Sequence, residues 1–252
     1  MRYIIDSQHY NASHGPILFY AGNEGGVWGF YNNSGFLVET LARKFGALVV
    51  FAEHRFYGKS MPFGNQTFQK ENLRFLSVEQ VMWDYIDLLN GIKQQYPELK
   101  DRATVAFGGS YGGMLAAWLR MKYPSHFQGA IASSAPVRWF KGVIDPNAYT
   151  KIASDVIKKL GGSECYDSLQ RGFFELRVLE YDQSKWVELD SIFNTCDGIS
   201  QPADVDNLIG AISDSLGTMA MVNYPYPTDF AGPLPAWPIH AACVAAAAVE
   251  PS

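Results

Sequence analysis

The first 136 residues alternate between two kinds of hydrophobic pattern. Residues 16–22 (PILFYAG) and 46–53 (GALVVFAE) are short, almost unbroken apolar runs rich in β-branched and aromatic side chains, as in strands covered on both faces. Further on, Val78, Val81, Met82, Tyr85, Leu88, Leu89 and Ile92 recur at helical spacing. Ser77 is placed to cap this helix, Gln80 to reach back to the cap, and Pro97 to end it. Residues 103–108 predict another strand, residues 111–123 a helix stopped by Pro124, and residues 129–135 a returning strand. This rhythm predicts an α/β fold in which a parallel sheet carries helices on both faces.

From Val137 the pattern becomes helical, over 155–160, 168–179 and 203–220, without strands between. It predicts a separate helical region over residues 137–252. Near its end, Pro225, Pro227, Pro233, Pro235 and Pro238 interleave with Tyr224, Tyr226, Phe230 and Trp237, predicting a rigid, extended surface segment.

Composition narrows the range of partners. Of the 252 residues, 48% are hydrophobic and 18% charged, the latter below the usual share of roughly 25%, so a sizeable core is expected rather than disorder. The net charge of −5 and the absence of a Lys/Arg run argue against nucleic acid as a partner. No apolar stretch approaches the roughly 20 residues of a membrane span, and the opening MRYIIDSQHYN shows no signal peptide. Cys165, Cys196 and Cys243 form no C-x-x-C pattern, so neither a metal site nor a cofactor is expected. If the chain is secreted, one thiol lacks an intrachain partner; if it is cytosolic, all three are small buried apolar groups. Asn11, Asn32 and Asn65 head N-x-S/T tripeptides and are candidate glycosylation positions.

Gly108-Gly109-Ser110-Tyr111-Gly112 places a G-x-S-x-G sequence between a predicted strand and a predicted helix, the setting of a nucleophile elbow. Its glycines let strand and helix pass closely around a strained serine. The Tyr111 backbone N–H, at the helix start, faces the space where a tetrahedral oxyanion would form. A glycine-rich turn with a structural serine is the competing reading. The loop GNEGG, residues 22–26, follows an earlier strand and can offer a second donor around Asn23 and Glu24. Glu24 can alternatively hold a substrate amine or simply face solvent.

Together AFGGSYGGMLAAWLRMKYP, ILFYAGNEG, VVFAEHRFYGKSMPFG, LSVEQ and AMVNYPYPTDFAGPLPAWPI resemble the family of lysosomal Pro-Xaa carboxypeptidase and dipeptidyl peptidase II, from about residue 2 to about residue 239. The resemblance implies an α/β-hydrolase fold, its core over 1–136 and a helical cap over 137–252. It also implies serine-type hydrolysis of proline-containing peptides after proline, with Ser110 as nucleophile and Tyr111 and the GNEG loop as oxyanion hole. Lysosomal or secreted localisation is implied too, with relatives able to homodimerise. The cap disulfides of the family imply a Cys165–Cys243 pair, leaving Cys196 to a partner outside the chain.

The family keeps its acid and base beyond the cap. His126 and His240 follow Ser110 but fall where the family keeps neither, and His54 with Arg55 is expected to brace loops. The chain is therefore expected to be the front of a longer enzyme, starting inside the mature domain, lacking the last core strands with their Asp and His, and weak or inactive alone. PYPTDFAGPLP is closer to the dipeptidyl enzyme, LPAWPI and LAAWLRMKYP closer to the carboxypeptidase, and both remain open. A noncatalytic hydrolase-like binding module and an esterase or lipase are the alternatives.

Overall fold

A computed structural model describes residues 1–247. The chain divides into two compact units between Phe140 and Lys141, shortly after the expected boundary at Pro136. Residues 248–252 of the expected cap lie outside the described residues.

The first unit is built on a five-stranded sheet of order β1-β3-β2-β4-β5. Its strands are β1 (Tyr3–Asp6), β2 (Ile17–Ala21), β3 (Leu48–Ala52), β4 (Thr104–Gly109) and β5 (Gly129–Ser133). Strands β2 to β5 run parallel, whereas β1 lies antiparallel against β3, with Tyr3 opposite Ala52 and Asp6 opposite Val49. The sheet is thus mixed rather than wholly parallel. β1 escaped the sequence reading because four residues of YIID carry too little periodicity, and their pairing with β3 is decided by long-range contact.

Both sheet faces are covered. One buries Ile17, Phe19, Val50 and Ala106 with Tyr85, Leu89, Leu115 and Leu119 from α3 (Val78–Gln95) and α4 (Ser110–Lys122). The other buries Leu18, Val49 and Phe51 with Val27, Leu37, Val38 and Ala42. Those last four come from α1 (Val27–Asn32) and from a π-helical stretch, Phe36–Leu41, that runs into α2 (Ala42–Phe45). Continuous burial along β3, from Leu48 to Ala52, is what its unbroken apolar run demands.

In α3, the Ser77 hydroxyl accepts from the Gln80 N–H as expected. The Gln80 side chain does not return to the cap; it accepts a hydrogen bond from Arg55 instead. A half-buried arginine beside the helix outcompetes the local partner, because a charged donor makes the stronger bond.

The second unit is helical. It holds α5 (Ala148–Leu179), broken at Gly162 (φ 85°), α6 (Trp186–Phe193), α7 (Pro202–Met221) and α8 (Pro238–Ala247). Leu176, Trp186, Leu189, Val205 and Ile209 form one cluster, while Ile157 and Ile239 pack with a disulfide joining Cys165 to Cys243. Cys196 is a free, exposed thiol. The proline-rich segment is not extended throughout: Thr228 and Leu234 exchange two backbone hydrogen bonds around a tight turn. Gly232, at φ 109°, gives the chain the backbone freedom to reverse.

Among the described residues, no helix is long and apolar enough to cross a membrane, and no cluster of His, Cys, Asp and Glu is set to hold a metal ion.

Candidate active site

Parallel strands deliver their following loops to one edge of a sheet. Here β3, β2 and β4 are consecutive neighbours, so three segments emerge side by side: residues 53–60 after β3, residues 22–26 after β2, and the turn from β4 into α4.

That turn is constrained at each step. Ser110 is exposed and has φ +54°, a left-handed backbone that costs a residue with a Cβ roughly 1–2 kcal/mol. Gly108 cannot be replaced without movement, because a Cβ there would come within 2.1 Å of the Gly112 carbonyl oxygen. On Gly112, a Cβ would lie 2.6 Å from the Ala21 oxygen and 3.2 Å from Asn23 Oδ1. The glycines therefore let α4 descend against β4 on one side and against the loop after β2 on the other, leaving the serine at the crest. Tyr111 follows in the first turn of α4, where backbone N–H groups have no acceptor within the helix.

The 22–26 loop is pinned from below. Gly22 N–H donates to the Ala52 carbonyl at 3.1 Å, and the buried Tyr85 hydroxyl donates to the Gly22 carbonyl at 2.6 Å. Above these anchors, the backbone N–H groups of Asn23 and Glu24 bond no other described residue. Asn23 Oδ1 is buried without a partner, whereas Glu24 is exposed. Asn23 thus sits against the elbow, and Glu24 stands at the loop's outer rim. Such an arrangement can offer backbone donors to a developing oxyanion beside a hydroxyl nucleophile.

Three consecutive residues after β3 tie this edge together. Glu53 is fully buried and accepts from Val27 N–H at 3.0 Å, Lys59 N–H at 3.1 Å and the Ser60 hydroxyl at 2.6 Å. Burial pushes its carboxyl up, but the bonds from Ser60, Val27 and Lys59, with the Arg2 charge, outweigh that and hold it below the usual range. His54, also fully buried, has Nδ1 at 2.5 Å from the Arg55 carbonyl and Nε2 at 3.0 Å from the Tyr111 hydroxyl. A carbonyl only accepts, so Nδ1 carries the proton and Nε2 accepts from the phenol. Burial lowers the imidazole pKa and raises that of Tyr111 to about 12, which keeps both groups neutral. Arg55 makes paired 2.6 Å bonds to the Asp84 carboxylate and donates to the Phe75 carbonyl.

The other expected positions are scattered. His126 lies past the end of α4, whose 13 residues put it about 20 Å along the helix from Ser110, and its Nδ1 meets Ser125 Oγ. His240 is exposed on α8 of the helical unit. No described residue hydrogen bonds the Ser110 hydroxyl. Asn11, Asn32 and Asn65 are all exposed. Sequence reasoning passed over Glu53 and Tyr85 as parts of the site. For Glu53 a signal existed, since a carboxylate directly ending a wholly apolar run has nowhere to go but inward. For Tyr85 there was none, its position reading only as core.

A serine on a strained strand-to-helix turn, at the edge of a largely parallel sheet covered by helices, defines the class of α/β serine hydrolases. The chain matches the family model for serine carboxypeptidase S28 over residues 1–250 and belongs to that serine peptidase family. Human lysosomal Pro-X carboxypeptidase is 39% identical over 243 residues, 96% of this chain and 48% of that protein. Prolyl carboxy peptidase like protein 5 of Caenorhabditis elegans is 40% identical over 251 residues, covering 98% and 49%. Human thymus-specific serine protease is 32% identical over 220 residues, covering 86% and 42%. The chain thus spans about half the length of the curated relatives it matches.

Proposed function

We propose that this chain carries the nucleophile and oxyanion side of a serine exopeptidase that cleaves peptide bonds after proline, with proline-containing peptides as substrates. The observation that carries the reading is the left-handed, exposed Ser110 between β4 and α4, set against the 22–26 loop. In this reading Ser110 attacks the scissile carbonyl. The backbone N–H of Tyr111 and one from Asn23 or Glu24 receive the oxyanion.

Preference for proline comes from the relatives, two of whose names specify Pro-X or prolyl carboxypeptidases, and the same likeness suggests a lysosomal setting. This reading includes both release of a C-terminal residue and release of an N-terminal dipeptide. In this structure His54 Nε2 accepts from the Tyr111 hydroxyl rather than from Ser110. A hydroxyl without an activating base retains only the acceleration of binding and oxyanion contacts, roughly 10³–10⁴ over water.

The chain is expected to cleave acyl-Pro-Phe or Xaa-Pro-arylamide far below the usual peptidase range of roughly 1–10³ per second. That residual activity should disappear in Ser110→Ala. Turnover that survives this substitution, or that favours alanine over proline in otherwise matched peptides, would overturn the reading.

A further inference from the structure

We propose that Glu53 and His54, consecutive and both fully buried just past β3, are positioning residues that set the spacing of the oxyanion site, Glu53 gripping the 22–26 loop and His54 gripping Tyr111. This rests on the reading of Ser110 as nucleophile and goes beyond it, because neither side chain touches the reacting atoms.

The two grips act on opposite walls. Glu53 Oε1 takes the N–H of Val27, the first residue after the loop, while Oε2 takes Lys59 N–H and the Ser60 hydroxyl. The loop's exit is thereby fastened to the 58–60 turn. The fit is close: Gly58, at φ +58°, would place a Cβ only 2.2 Å from Glu53 Oε1, so the turn folds directly over the carboxylate. His54 works in the other direction. Its Nδ1–H is spent on the Arg55 carbonyl, which orients Nε2 to receive the Tyr111 hydroxyl. Tyr111 is the residue whose backbone N–H the oxyanion would use. One peptide unit therefore separates the supports of the two candidate donors, and Arg55, clamped to Asp84 on α3, anchors that unit to the sheet's helical cover. Oxyanion donors are effective only at hydrogen-bond distance from the developing charge, and a small misplacement costs far more in rate than in binding.

Glu53→Gln replaces one acceptor oxygen with an amide N–H₂ that must face a backbone donor. Tyr111→Phe removes only the hydroxyl and leaves the core intact. Leu89→Ala, in the buried face of α3 away from these bonds, serves as a control for lost stability. With the full chain, labelling of Ser110 by a fluorophosphonate is resolved into a maximal rate and an apparent affinity, alongside hydrogen exchange of residues 22–27 and 110–113. The maximal rate should fall about tenfold in Glu53→Gln and Tyr111→Phe with affinity within about twofold, and stay unchanged per folded molecule in Leu89→Ala. Exchange should rise in 22–27 for Glu53→Gln and in 110–113 for Tyr111→Phe. Unchanged rates in both variants, or an equal loss in Leu89→Ala, overturn the proposal. If the unaltered chain gives no adduct at all, the nucleophile reading fails instead. Exchange then decides the bracing alone, local increases supporting it and unchanged rates refuting it.

Discussion

At Ser110 the backbone is held at φ +54° by glycines that keep strand and helix in contact. Relieving that strain should be measurable. Ser110→Gly is expected to raise the unfolding free energy by roughly 0.5–1 kcal/mol, the left-handed penalty less the extra entropy of glycine, while removing fluorophosphonate labelling. A denaturant titration showing Ser110→Gly less stable than Ser110→Ala would contradict a strained elbow. Gly108→Ala should act oppositely, costing roughly 2 kcal/mol or more, because its Cβ would meet the Gly112 carbonyl at 2.1 Å. His54 adds a pH dependence. Burial lowers its pKa; the Arg55 carbonyl opposes that shift, the Arg55 charge reinforces it, and Asp84 and Glu24 oppose it. The folded imidazole thus stays neutral where the unfolded one, with a pKa of about 6.5, takes up a proton. The stability it contributes is complete above about pH 6.5 and declines as pH falls toward the lowered folded pKa, at most about 1.4 kcal/mol per unit. Urea midpoints at about pH 7 and about pH 5.5 should therefore differ more for the unaltered chain than for His54→Gln. Equal differences would show that the imidazole titrates alike in the folded and unfolded chain, contradicting the lowered pKa.

Among the elements, the segment leaving β3 does the most to organise the edge. Glu53, His54 and Arg55 reach α1, α4 and α3 in turn, so a single strand end registers three helices. The sheet is less well covered at β5, which pairs with β4 and leaves Ile131 47% exposed. An apolar strand edge templates association. Ile131→Lys is expected to suppress aggregation with little change in stability, and light scattering at rising concentration checks it; undiminished aggregation would put the sticky surface elsewhere. In the helical unit, the Cys165–Cys243 bridge closes a sequence separation of 78 residues, a constraint on the unfolded chain worth about 4.5 kcal/mol. Replacing both cysteines with alanine should destabilise that unit by roughly 2–4 kcal/mol. Hydrogen exchange should rise in α5 and α8 and not in β2 to β4.

Over the whole molecule, what could be read in the sequence was what local pattern dictates. The runs ILFYA, LVVFA and TVAFGG are strands because nothing but burial on two faces suits them, and GGSYG is an elbow because strand, glycines and helix stand in order. The unread parts depend on distant partners. β1 needs β3 to exist as a strand, Gln80 turns from its own cap to Arg55, and the proline-rich segment closes into a turn through Thr228 and Leu234. For the candidate site, spacing alone singled out Ser110, Tyr111, Asn23 and Glu24 as residues to place at neighbouring strand ends, while the buried support from Glu53 and Tyr85 emerges only when three strand ends meet. The central claim, that this edge presents Ser110 as a nucleophile, is tested most directly by exhaustive labelling of the folded chain with a fluorophosphonate and mapping of the adduct by mass spectrometry. A single, slow adduct on Ser110, lost on unfolding and in Ser110→Ala, is the result predicted. Modification at another residue, or none at Ser110 while the chain remains folded, would contradict it.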